Sequence, residues 1–246
     1  LFQKSLLLLS FTGDEEGMEA LLPPIRTLVE GMPDGELPLP SYTLAYGKQN
    51  EGFETSAKVQ YVARSGNYRR DGLEYTGALR ILKVILSYEY LWTNIRVKGG
   101  AYGCMSGFGV TGDSYFVSYR DPNLGKTLEV YEGIGDYVRE FTVSPRDMTK
   151  YIIGTISELD VPLSPMAKGA RSLSAYLSRV TEADFQKERD QILDAGQESI
   201  RSLEAHVRAV LGQQNLCVIG GEERMKQERE LFEQLKPLIG TEGENA

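Results

Sequence analysis

IRVKGGAYGCMSGFGVTGDSYFVSYRDPNLGKTLE, residues 95–129, is the stretch whose reading decides the fold. Gly99 and Gly100 stop a helix that arrives from the N-terminal side, and Ala101 to Val110 continue as a strand. Gly112 and Asp113 suit a tight connection into a second strand, Tyr115 to Arg120. There Tyr115, Val117 and Tyr119 fall on one face and Phe116 and Ser118 on the other, so an antiparallel hairpin is predicted. Arg96 and Tyr102 flank the glycine break. A guanidinium is a permanent cation with several fixed donors, and a phenol keeps its proton near neutral pH. Together they suit a peptide carbonyl or a developing oxyanion, although neither cleaves a peptide bond alone.

Upstream, apolar residues surround most of the circumference from about Tyr75 to Asn94, which predicts a long and largely buried helix. Downstream, Leu124, Leu128, Tyr131, Ile134, Val138 and Phe141 recur at helical spacing. Ser144 before Pro145, Ser164 before Pro165, and Thr181 with Asp184 mark further helix starts. Ala57 to Ser65 reads as a strand. The two ends share one grammar. Residues 4–32 read as a strand over Leu6 to Leu9, a glycine turn and a helix opening near Asp14; residues 215–240 read as a strand, a glycine turn and an acidic helix start. This echo fits either the ends of two related domains or two unrelated strand–helix units. The Pro- and Gly-rich segment between them and the next strand reads as a linker. The expected organisation is a tail over 1–32, a linker over 33–50 and a main domain over 51–246. Its fold class is α+β, a mostly antiparallel sheet with helices packed largely on one face.

A net charge of −8 and a pI near 4.9 argue against a nucleic-acid module. No apolar run is long enough to span a bilayer, so no membrane partner is expected. Leu1 is not a plausible natural start, and the segment reads as part of a longer protein. Cys104 and Cys217 lack any paired spacing and read as reduced structural thiols, with a mild preference for the cytoplasm and an organelle matrix as the other compartment.

Several tempting groups have plainer readings. Gly107, Gly109 and Gly112 spell GxGxxG but lead into a strand, whereas a dinucleotide needs them to open a helix; a glycine-rich hairpin allowing close backbone approach is expected instead. His206, the one histidine, reads as a helix packing or surface residue. Glu222 and Glu223 begin a helix. Ser106 and Ser118 have no histidine base nearby. Cys104 defaults to packing, with a cleft-lining position as the alternative.

The block RVKGGAYG, followed by YRDPN at 119–123, resembles the C-terminal half of the pitrilysin/insulinase family of zinc peptidases, most closely its presequence-protease branch. The resemblance covers the chain from about Asn50 onward. It implies that Arg96 and Tyr102, an R-x5-Y element, hold the substrate carbonyl, with Gly99, Gly100 and Ala101 binding substrate beside them. It also implies a zinc ion whose bound water attacks the peptide. The ligands come from an inverted His-x-x-Glu-His motif that this sequence lacks, so the metal would lie in an N-terminal catalytic half of the same protein. The partners implied are peptide substrates and that catalytic half, and this segment alone would be inactive. The rival expectation is a noncatalytic assembly module of the same fold, in which Arg96 and Tyr102 only brace the hairpin.

Overall fold

The computed structural model describes residues 3–35, 41–43 and 47–239. In chain order the elements are α1 (Glu15–Glu30), β1 (Glu51–Thr55), β2 (Gln60–Asn67), α2 (Ala78–Ile85), β3 (Gly103–Phe108), β4 (Asp113–Asp121), α3 (Gly125–Glu132), α4 (Ile134–Arg139), α5 (Pro145–Leu159), α6 (Pro165–Ser178), α7 (Glu182–Leu193), α8 (Gln197–Arg201), α9 (Glu204–Gly212), β5 (Asn215–Gly221), α10 (Glu222–Gln227) and β6 (Gln234–Pro237). They divide into two compact units, Leu1–Tyr46 with Asp160–Phe185, and Gly47–Leu159 with Gln186–Ala246.

The first unit is helical. Asp14 caps α1 by accepting the Gly17 N–H at 2.8 Å, and Glu15 and Glu16 lie at its positive end. Ser164 caps α6 by accepting the Ala167 N–H at 3.3 Å, with Pro165 where a missing donor costs least. The strand expected over Leu6–Leu9 is not formed. Lys4–Leu6 is a 3-10 turn, and Leu6, Leu8 and Leu9 are exposed. A strand exists only through its ladder, and this unit holds no strand among its described residues. Much of the expected linker, residues 36–40 and 44–46, lies outside the described residues.

The second unit carries a six-stranded sheet in the order β3-β4-β2-β5-β1-β6. The β3/β4, β4/β2 and β2/β5 ladders are antiparallel, while β1 pairs in parallel with β5 and β6, which keeps the sheet mostly antiparallel. The strands β1 and β6 were not anticipated, and the terminal helix α10 is correspondingly short. Alternation along β4 follows the sequence: Ser114, Phe116 and Ser118 are buried, whereas Tyr115 points outward. The buried face packs beneath the helices, where Val62, Phe116, Leu79, Leu82, Tyr131 and Val210 are fully enclosed. Each such side chain contributes about 1.5–3 kcal/mol of apolar burial.

The six apolar positions from Leu124 to Phe141 are all buried, but the helix is broken at Gly133: Leu128 and Tyr131 lie on α3, Ile134 and Val138 on α4, and Leu124 and Phe141 flank the pair. The helix expected over 75–94 begins at Ala78 and continues past Ile85 in a wider winding to Val97. Its second half is not enclosed: Leu86, Leu91 and Ile95 face the core, while Tyr88 and Trp92 face outward.

Candidate functional site

The chain beyond α2 winds as π-helix over Leu86–Tyr90 and Trp92–Val97, so that the Lys98 N–H reaches the Thr93 carbonyl five residues back at 3.0 Å. Such turns recur at functional sites because each inserts a residue and re-aims the side chains after it. Here Ile95 is directed into the core and Arg96 outward. Trp92, one turn earlier, lies under Arg96, whose guanidinium carbon is 4.1 Å from the indole centroid.

The paired glycines then turn the chain. Gly100 adopts φ +82°, its N–H donates to the Arg96 carbonyl at 2.9 Å, and the Ala101 N–H donates to the Ile95 carbonyl at 3.1 Å. At Gly99 a Cβ would stand 2.4 Å from the Ile95 carbonyl oxygen, so no side chain fits. The turn at 121–123 fastens this corner from outside. Asn123 Nδ2 donates to the Gly99 carbonyl at 2.7 Å, and the Asn123 N–H donates to Asp121 Oδ1 at 2.9 Å. Asp121 is fully buried and its other oxygen accepts the Thr127 hydroxyl at 2.7 Å. The sequence block YRDPN is therefore the physical support of the block RVKGGAYG. Removing that support in Asn123→Ala is expected to cost ~1–2 kcal/mol, as for a lost partly buried hydrogen bond. Urea unfolding measures it, and an unchanged midpoint would show that the turn does not fasten the corner.

Tyr102 leaves the corner 58% exposed, its ring edge-on to Tyr119 with centroids 5.5 Å apart. Arg96 lies 5.8 Å from the Tyr102 ring centroid. Among the described residues, neither the Arg96 guanidinium nor the Tyr102 hydroxyl makes a hydrogen bond or an ion pair. Both polar groups are open to a ligand. Gly99, Gly100 and Ala101, expected as substrate contacts, have corner groups already engaged: the Gly99 carbonyl and the Gly100 and Ala101 N–H groups are bonded within the protein, and Ala101 is buried. These bonds shape the corner between Arg96 and Tyr102.

A third group was missed in the sequence. Gln60 pairs with Asp121 but Val62 pairs with Ser118, so Tyr119 and Arg120 together oppose Tyr61 in a bulge. Arg120 sits there at φ +48° and brings its guanidinium 5.4 Å from the Tyr102 ring centroid. Beyond the bulge, Tyr61, Met105 and Tyr115 remain more than two-fifths exposed and give the sheet an open apolar face.

Cys104 packs against the core. Burial pushes its thiol up to about 11, the Arg96 cation pulls in the opposite direction, and Asp121 adds to the rise. Cys104 is thus neutral at pH 8, whereas Cys217 is exposed on β5. Iodoacetamide at pH 8 should label Cys217 well before Cys104, read by peptide mass spectrometry; the reverse order would place Cys104 in the cleft. His206 is a packing residue: it is buried beside the Tyr68 ring, and its Nε2 is 2.9 Å from the Glu74 carbonyl oxygen. Of the GxGxxG glycines, Gly107 lies in β3 against the Tyr115 ring, while Gly109 and Gly112 form the hairpin turn: the Gly112 N–H donates to the Gly109 carbonyl at 2.9 Å, and a Cβ at Gly109 would stand 2.8 Å from the Asp113 carbonyl oxygen, the close backbone approach expected there.

Among the described residues no three His, Cys, Asp or Glu side chains converge to hold a metal. The described residues therefore offer no ligand set that fits a zinc ion. No described helix is long and apolar enough to cross a membrane.

A mixed sheet with helices over one face, carrying an arginine–tyrosine corner at the entry to its edge strand, defines a domain of the pitrilysin/insulinase type. Solved structures share this fold: a peptidase M16 inactive domain from Pseudomonas fluorescens superposes with a TM-score of 0.58 at 16% identity, covering 84% of this chain and 50% of that one. Pitrilysin gives 0.55 at 10% identity over 83% of this chain and 23% of its own. The chain belongs to the PreP C-terminal domain family, whose model matches residues 50–220. Protein HypA of Clostridium perfringens (strain 13 / Type A) is 42% identical over 239 residues, which is 97% of this chain and 25% of HypA. Presequence protease 1, chloroplastic/mitochondrial, of Arabidopsis thaliana is 40% identical over 161 residues, 65% of this chain and 14% of that protein. The chain thus spans a quarter or less of these relatives' length.

Proposed function

We propose that this chain is the substrate-gripping wall of a zinc metalloendopeptidase that degrades unfolded peptides, with the metal and its activating residues supplied by an N-terminal catalytic half of the same polypeptide. The observation that carries this reading is the exposed pair at the corner, an Arg96 cation without a counter-ion and a Tyr102 hydroxyl without a partner among the described residues. Both are donors, Arg96 on the π-wound helix and Tyr102 at the bend just before β3, and a peptide carbonyl presents the acceptor they lack. As the carbonyl becomes tetrahedral its oxygen gains charge, and donors aimed at that position stabilise it more than the ground state. The open face carrying Tyr61, Met105 and Tyr115 offers apolar surface to the remainder of the peptide. In this reading residues 1–32 are the tail of a preceding related domain, 33–50 connect it, and 51–246 form the gripping domain. The free thiols support a reducing compartment, the cytoplasm in our reading. The Arabidopsis relative's name places that protein in chloroplasts and mitochondria, so a matrix is the alternative.

The test is single-turnover cleavage of an unfolded peptide by the full-length protein carrying Tyr102→Phe. Loss of one such donor is expected to lower the chemical rate on the order of 100-fold, with the unfolding transition of the domain unchanged. An unchanged rate would refute the assignment. The assembly-module reading draws on neighbours named as inactive domains, which are likenesses of fold alone. It predicts that the full-length protein cleaves no peptide and that Tyr102→Phe alters only stability.

A further inference from the structure

We propose that Arg120 is a carboxylate-binding residue beside Arg96 and Tyr102, so that the site favours peptides presenting a carboxylate next to the bound carbonyl. The proposal deepens the peptide-contact reading and rests on it. Three observations converge. First, Arg120 stands at φ +48° inside β4, a conformation glycine adopts freely and arginine does not, at the extra residue of a bulge. A glycine would serve the backbone better, so the side chain is what the position retains.

Second, the bulge aims that side chain at the candidate site. Its guanidinium carbon lies 5.4 Å from the Tyr102 ring centroid, as Arg96 lies 5.8 Å from it. Third, neither arginine has a carboxylate partner among the described residues, although the chain as a whole carries a net −8. The adjacent Asp121 is fully buried and engaged with Thr127 and Asn123. Two permanent cations around one phenol repel each other, and an anion shared between them relieves that repulsion. A carboxylate matches the planar guanidinium fork better than any other group a peptide offers. Its source is either an acidic side chain near the cleaved bond or the peptide's own C-terminus.

Trp92 supplies the readout. It is the single tryptophan of the chain and lies directly under Arg96. Its emission in the 246-residue chain should therefore report occupation of the site. Four peptides identical except for Glu or Gln at one internal position, and for an acid or an amide at the C-terminus, separate the sources. The carboxylate-bearing member of one pair should bind about 10-fold tighter, the size of one charge-assisted hydrogen bond. Arg120→Met should erase that preference, bringing both members of the pair to one affinity, and Arg120→Lys should restore part of it.

Equal binding within both pairs, or a preference surviving Arg120→Met, would overturn the proposal while leaving the peptide-contact reading standing. No emission change with any of the four peptides would remove both. Arg120→Gly guards against a purely structural explanation. It should lose the carboxylate preference with Tm unchanged or raised by about 2–4 °C as the strain is released. A lowered Tm would show that the side chain serves the bulge, and would overturn the proposal.

Discussion

Arg96→Ala in the full-length protein is expected to slow the chemical step of peptide cleavage by about 10²–10³-fold, the range for removing one charged donor from a developing oxyanion. The loss should fall on the rate and hardly on the fold. The guanidinium is exposed, has no ion pair among the described residues and is attached to the protein chiefly through the Trp92 stack. Such a contact contributes about 0.5–1 kcal/mol at an exposed site. Arg96→Lys should recover part of the rate, because it keeps the charge and gives up the rigid fork. Single-turnover cleavage paired with urea unfolding separates the two effects; a full-rate alanine variant would show that Arg96 does not touch the reacting carbonyl.

The second large effect lies one residue period away from the open face. Phe116→Ala should destabilise the domain by ~3–5 kcal/mol. Phe116 is fully buried, with its ring centroid 5.8 Å from that of Phe108 and 6.0 Å from that of Tyr131. That loss is a large part of the ~5–15 kcal/mol by which domains of this kind are stable. Tyr115→Ala, the next residue on the opposite face of β4, should cost no more than ~1 kcal/mol by comparison. Equal costs at the two positions, measured by urea unfolding, would contradict the two-sided reading of the strand.

The features legible in the sequence are those set locally. Alternation divided β4 into its two faces, the paired glycines marked the corner, and hydroxyl or carboxylate caps located the starts of α1, α5, α6 and α7; which face of β4 is buried emerged only from the structure. The features that escaped are set by distant partners. EGFET and QLKP have no strand signature of their own and become β1 and β6 through parallel pairing with β5 and with each other. The Leu6–Leu9 run has the signature but pairs with nothing among the described residues. Trp92 read as core because an ideal α-helix encloses it, and the π winding that turns it outward is a backbone register no side chain announces. Arg120 was illegible for the same reason, since its bulge is defined only against Tyr61 on another strand.

Whether Arg96 and Tyr102 act on one oxygen atom is tested most directly by a double-mutant cycle in single-turnover cleavage, comparing Arg96→Met, Tyr102→Phe and the pair in the full-length protein. If both grip the same carbonyl, the double variant should be barely slower than the worse single one, a coupling of more than ~1 kcal/mol. Effects that simply multiply would mean that the two residues work on different parts of the peptide, which contradicts a shared grip on one carbonyl.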